Sequence, residues 1–469
     1  MTRVLLRSSK SPFEPISAEM AMRRSVGGAN LGNLVFSDSV HKTLYTPGQE
    51  ITVGGFRPDP LAAEHINETY DVLVLPFANA FRPGMRHVLA AWTELIRQLR
   101  IPVVVLGIGA QTSLDYDLER LRPLDDTVRA FVGTVLDHGP SIGVRGPLTE
   151  RYLNRLGFSD VDVIGCPSLF RYGGRLNVEK SPAELSRDAA IAVSMTSSCA
   201  QPIAALVNTN LNRYPRLHYV AQDIKDLELL YWGDTSEAAG TGADYPRHRS
   251  HPLLRENRTR LYLEPETWIR HMATFDFALG TRIHGTITAL LGGTPGMVLC
   301  HDSRTRELSE YFEIPHYFLN DLPSDADPAK LYAESDYTPL VSGHGDRFQR
   351  FVGYLDRHGV DHVYAPGGDA GAAFEARLAS VTLAPPVEPW LGDDGDLAYR
   401  FAWLKENATR VGRRQDKADK RISELHEEIA ALRTQLEHLA ASPEPHTYED
   451  RRGVTERLTD AVNAFRGRG

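Results

Sequence analysis

"FDFALGTRIHGTITALLGGTPGMVL", residues 275–299, decides the fold. A short apolar run ends in glycine. A helix-length apolar stretch follows, closed by a glycine pair and a proline. A second short apolar run comes next. This reads as strand, helix, strand, the crossover unit of a parallel sheet. Its turn carries Arg282 and His284, a fixed cation and a titratable imidazole where a packed helix begins.

The same alternation recurs on both sides of this stretch. Upstream, "TRVLLRS", "YDVLVLPFANAF", "IPVVVLGIGAQ", "SIGVRG" and "VDVIGCPSLF" read as strands. Between them, "RHVLAAWTELIRQLR", "DDTVRAFVGTVLDHG" and "PLTERYLNRLGF" read as helices, the last with Pro147 in its first turn. A second series runs from "DAAIAVSMTSS" through "LHYVAQD", "TRLYLEPET" and "FDFALGT" to "PGMVLCHD". The expected fold class is therefore α/β, with two parallel-sheet domains facing each other across a cleft. The first spans residues 1–175 and the second 186–365, with a polar interdomain linker between them from about 171 to 187. Residues 366–396 are rich in Gly, Pro, Ala and Asp and read as a linker.

The pattern then changes. Leu404, Ala408, Val411, Gln415, Ala418, Ile422, Leu425, Ile429, Leu432, Leu436 and Leu439 step alternately by four and three. That is a heptad repeat over 397–441, the signature of a coiled-coil helix and of a homo-oligomer. The alternative is a long helix lying back on its own domain. Residues 442–469 are expected to be a disordered tail.

Composition excludes several classes. The net charge of -9 argues against a protein that wraps nucleic acid, which needs clustered Lys and Arg. Three widely spaced cysteines with no CxxC give neither a disulfide framework nor a zinc knuckle. No metal cluster stands out, and no cofactor is expected. The first residues do not form a signal peptide, and no stretch approaches the roughly 20 apolar residues of a membrane span. A cytoplasmic protein is the expectation.

The chemistry concentrates at strand ends. The helix start after "ALG" offers backbone N–H groups and a dipole that favour an anion. Arg282 adds a fork suited to carboxylate or phosphate, and His284 a group able to move a proton near neutral pH. The competing reading is a strand-end ion pair beside a packed histidine. Arg145, in "SIGVRGPLTE", repeats the construction in the first domain, so a second anion site is expected there, against the alternative of a surface arginine. "GGANLGN", residues 27–33, is a glycine-rich turn before a helix whose amides around Asn30 and Gly32 can approach a ligand closely. "GIGAQ", residues 107–111, is a strand-end turn without the dinucleotide spacing. His301 and Asp302 follow a strand and can line the cleft, but cannot build a metal site alone.

With these pieces in place, the chain resembles the polysaccharide pyruvyl transferase family over roughly residues 25–320. "GTRIHGTITALLGGTPGMVL" carries the most specific likeness, to the family's Arg-x-His-Gly, apolar helix, Gly-x-Pro and strand. "GANLGN", "PVVVLGIGAQ", "IGVRGPLTERYLNRLG" and "VIGCPSLF" are similar to its other elements. Asn33 and Cys166 stand where the family carries Asp, so neither is assigned an acid role. The resemblance implies a glycosyltransferase-B-like pair of sheets. It also implies transfer of a pyruvyl group from phosphoenolpyruvate to two hydroxyls of a sugar or glycan acceptor, with phosphate released. Arg145 and Arg282 would then hold the donor's phosphate and carboxylate, and His284 would meet it near the reacting carbon. Two alternatives are a nucleotide-sugar glycosyltransferase of similar architecture and a non-catalytic glycan-binding scaffold.

Overall fold

The computed structural model describes residues 1–24, 26, 28, 30–55, 57–233, 245–248, 250–323, 325–391 and 397–440. The tail expected beyond residue 441 lies outside the described residues, as do Gly27 and Ala29 of the glycine-rich turn. The chain divides into two units, Met1–Leu391 and Gly392–Gly469. In the second unit, Leu397–Ala440 is one continuous helix.

The first unit holds two parallel sheets. Strands β1 (Thr2–Leu6), β2 (Gln49–Val53), β3 (Val72–Pro76) and β4 (Val103–Leu106) form the order β2-β1-β3-β4. Strands β5 (Ile142–Val144) and β6 (Val161–Val163) extend it, because Ile108 pairs with Val144 in parallel. The second sheet runs β12-β11-β10-β7-β8-β9. Its strands are β7 (Ile191–Ser194), β8 (Leu217–Ala221), β9 (Thr259–Leu261), β10 (Phe277–Gly280), β11 (Gly296–Cys300) and β12 (His316–Phe318). Central strands such as β3 and β4 are buried at every position, as a sheet covered on both faces requires. The edge strand β2, "QEITV", carries a half-exposed alternation that a search for apolar runs passes over.

The opening stretch folds as its pattern demands. β10 ends at Gly280, the helix runs Ile283–Leu291, and β11 begins at Gly296. In the second sheet the connections diverge between β7 and β10, so the loops after these strands form its topological switch point. Arg282 lies there.

The two halves are not separated by an open cleft along their whole length. Val4, Leu6 and Phe36 of the first half share one apolar core with Ile283, Ile287 and Val298 of the second. The helix Thr338–Arg357, whose pattern of glycines and polar residues hides it in the sequence, returns to the first sheet. There Tyr354 Oη donates to Val105 O at 2.8 Å and accepts from Gly143 N–H at 3.1 Å. Two linker expectations change accordingly. Arg171, Leu176 and Val178 of the 171–187 stretch are buried in the core. Of residues 366–396, those up to Leu391 belong to the first unit as a packed strap. The strap holds the helix Ala372–Ala379, and Val387 exchanges both backbone hydrogen bonds with Leu261, at 2.8 and 3.0 Å. Phe374 and Leu378 of that helix are buried and hold the strap down, while most of its small residues stay exposed. Residues 392–396 lie outside the described residues.

Candidate active site

Arg282 leaves β10 in extended geometry and caps the helix Ile283–Leu291 without a side-chain bond of its own to the first amides. A helix N-terminus of this kind favours negative charge. The Arg282 guanidinium forms an ion pair with Asp223, which follows β8, and its Nε reaches Met195 O at 3.5 Å. The strand-end ion pair foreseen as the competing reading is thus real. It also aims the arginine, because Asp223 itself pairs in antiparallel fashion with Asn30.

His284 is 8% exposed, and its Nε2 has no hydrogen-bond partner among the described residues. Burial, followed by the charges of Arg145, Arg304 and Arg282, drives its imidazole down to about 3. A value that low leaves the imidazole neutral at physiological pH. One face of the ring rests on Gly32, where an added Cβ would sit 2.6 Å from Nδ1. The Gly32 N–H is itself engaged, donating to Asn30 Oδ1 at 2.9 Å. Asn30 and Gly32 are thus brought to the site, where Asn30 shapes the loop and Gly32 seats the histidine.

Arg145 follows β5 directly, and its backbone N–H donates to Ile108 O at 2.9 Å, which places it beside the "GIGAQ" turn. Its side chain crosses Gly109 so closely that any Cβ there would collide with the guanidinium. Arg145 is only 3% exposed, and neither Nε nor Nη1 has a partner among the described residues. Burial lowers its pKa to about 10, opposed by Glu307, so it keeps its charge. A buried cation with unsatisfied N–H groups is costly unless a ligand completes it.

The anion site expected at the start of helix Pro147–Arg155 is not open. Glu307, from the helix Ser303–Phe312 of the other half, accepts from Thr149 N–H at 2.7 Å and from its hydroxyl at 3.0 Å. A helix N-terminus buried between two halves needs a negative partner, and the protein supplies its own. Burial raises the Glu307 carboxyl to about 7, against the pull of Arg145.

Sequence reasoning passed over Arg304. It pairs with Asp302 at 3.3 Å, and its charge acts on both His284 and Arg145. The signal was present: "CHDSR" is another strand end leading into a helix. Asp302 also accepts from Gln111 Nε2 at 2.9 Å and caps its helix through Thr305 at 2.9 Å. Burial raises its pKa, but Arg304 and His301 outweigh that and hold it below the usual range. Gln111, His301 and Asp302 line a cavity of about 890 Å³ with Arg82, Phe318 and Asn320, drawn from both halves. Cys166 is buried and its thiol pushed up, as its place in the core requires. Among the described residues there is no group of three or more His, Cys, Asp or Glu able to hold a metal.

Two parallel-sheet halves thus bring the charges of Arg145, Arg304 and Arg282 to bear on one buried histidine. The family model for polysaccharide pyruvyl transferase matches residues 30–303, and the chain belongs to that family. It is accordingly an enzyme of pyruvyl transfer to polysaccharide. A comparison with curated proteins gives no match. Among solved structures, the chain is similar to Methanocaldococcus jannaschii UDP-GlcNAc 2-epimerase in complex with UDP-GlcNAc and UDP. The identity is 10% over 76% of this chain and 99% of that one, with a TM-score of 0.42. The S. aureus MnaA–UDP co-structure gives 12%, 76%, 96% and 0.41 in the same order. Anabaena Alr3699/HepE in complex with UDP and glucose gives 12%, 81%, 100% and 0.37. With TM-scores below 0.5, none of these likenesses bears on what this chain binds.

Proposed function

We propose that the enzyme transfers the pyruvyl group of phosphoenolpyruvate to two hydroxyls of a sugar or glycan precursor, forming a ketal and releasing phosphate. The observation that carries this reading is the buried Arg145 guanidinium, with Nε and Nη1 unpartnered among the described residues, whose charge acts on a histidine whose Nε2 likewise has no partner there. Phosphoenolpyruvate supplies the missing negative charge. Arg145 and Arg282 hold its phosphate and carboxylate, Arg304 adds charge stabilisation as phosphate leaves, and the helix N-terminus faces the anion. One acceptor hydroxyl adds to the enol carbon while the methylene carbon takes a proton. The second hydroxyl then displaces phosphate from the same carbon. Bound anion offsets the three arginines, so the His284 imidazole rises and becomes able to carry a proton. The acceptor sugar enters the 890 Å³ cavity, whose amide, carboxylate and aromatic lining suits a carbohydrate.

Three unpaired cysteines agree with a cytoplasmic setting. No described helix is long and apolar enough to cross a membrane. We also assign self-association to the helix Leu397–Ala440.

The test measures phosphate release with phosphoenolpyruvate and candidate acceptors, alongside calorimetric binding of phosphoenolpyruvate. Arg145→Gln loses binding; His284→Gln binds but does not turn over. Tight binding of a nucleotide sugar, with none of phosphoenolpyruvate, would overturn the reading in favour of a glycosyltransferase. Glycan binding without turnover on any acceptor would make the protein a scaffold.

A further inference from the structure

We infer that the helix Leu397–Ala440 pairs with a second copy of itself as a parallel, in-register, two-stranded coiled coil. This rests on the self-association assigned above and goes beyond it by fixing strand number and direction. Four residues of the apolar stripe are exposed in the single chain: Val411 is 53% exposed, Ile422 50%, Ile429 44% and Leu404 40%. A helix of 44 residues with an uncovered stripe needs a partner for that stripe.

The residue types choose the geometry. In the heptad frame Ile422 and Ile429 occupy one core position, and Leu425 and Leu432 the other. β-branched residues at the first core position with leucine at the second favour two parallel strands. Gln415 sits at the same position as the isoleucines. In a parallel, in-register pair it meets Gln415 of the second copy, amide to amide. In a fully overlapping antiparallel pair it faces a leucine and leaves its amide without a partner in the core.

The flanking charges agree. A parallel pair sets the residue just before one core layer against the residue five further along the other strand. Arg414 then faces Asp419, and Glu428 faces Arg433, both opposite in sign. Arg421 faces His426 and is already engaged by Glu424 at 3.2 Å in its own helix. Each favourable contact occurs twice by symmetry. Charge thus complements the core pattern in two of three successive heptads.

The experiment uses the full chain. Light scattering gives the mass in solution, expected at twice that of one chain. Ala408→Cys, far from the middle of the repeat, is expected to form a disulfide-linked dimer on mild oxidation, in contrast to the wild type. Glu428→Lys is expected to weaken the dimer roughly fivefold, two exposed pairs turning repulsive. Adding Arg433→Glu to that variant restores it. A dimer in which Ala408→Cys fails to crosslink, or a larger oligomer, overturns the parallel pair while self-association stands. A single-chain mass overturns both, and neither result touches the pyruvyl-transfer reading, which is scored by turnover.

Discussion

Gly32→Ala is the sharpest probe of how the site is built. The position opens the helix Gly32–Leu44, where alanine is a better helix former, so the backbone welcomes the change. The obstacle is His284. The new methyl would lie 2.6 Å from Nδ1 and 2.8 Å from both Cβ and Cγ of the ring, where ordinary contact begins near 3.4 Å. The ring must therefore retreat by about 0.8 Å, and it has no free space, being 8% exposed. A displacement of about 1 Å of a reacting group costs on the order of 100-fold in rate. Crowding of this kind also costs about 1–3 kcal/mol of stability. The arginines are untouched, so phosphoenolpyruvate binding should stay within about threefold, since RT ln 3 is small beside three charged contacts. The assay pairs kcat for phosphate release with a calorimetric Kd for phosphoenolpyruvate. Wild-type kcat in the folded variant would refute both the steric role of Gly32 and the placement of His284 at the reacting centre.

Two further outcomes follow from buried charge. Arg171 is fully buried between Asp38, with which it forms an ion pair, and Glu266 at 3.3 Å. Arg171→Met strands Asp38, while Glu266 keeps Arg270 at 2.8 Å, and should cost about 3–5 kcal/mol at neutral pH, read as a fall in the denaturant midpoint; a loss under about 1 kcal/mol would contradict it. Glu307, raised to about 7 by burial, binds more protons folded than unfolded between its ordinary value and 7. Its contribution is thus fully present below the unfolded value and is lost as pH rises through 7. Relative to Glu307→Gln, the wild type should lose on the order of 3 kcal/mol between about pH 4.5 and 8, measured by urea unfolding; parallel curves would rule this out.

Much of the fold was legible because buried parallel strands and their crossover helices write unmistakable periods. "FDFALGTRIHGTITALLGGTPGMVL" folds as strand, helix, strand at the places its glycines mark. What escaped was whatever depends on a distant partner. The strand "QEITV" is half exposed and shows no apolar run. The helix Thr338–Arg357 contains glycines and polar residues that only its docking on the first sheet explains.

The sequence by itself determined that cations and an imidazole stand at strand ends before helices, because strand and helix periods are local and a strand-end charge is visible in the string. Only the tertiary structure decided what each does. It brought Asp223 to Arg282, laid Arg145 across Gly109, filled the Pro147–Arg155 helix start with Glu307, and added Arg304 to the cluster. Those are contacts between residues far apart in the chain. Their energies depend on burial and distance, which no local pattern records.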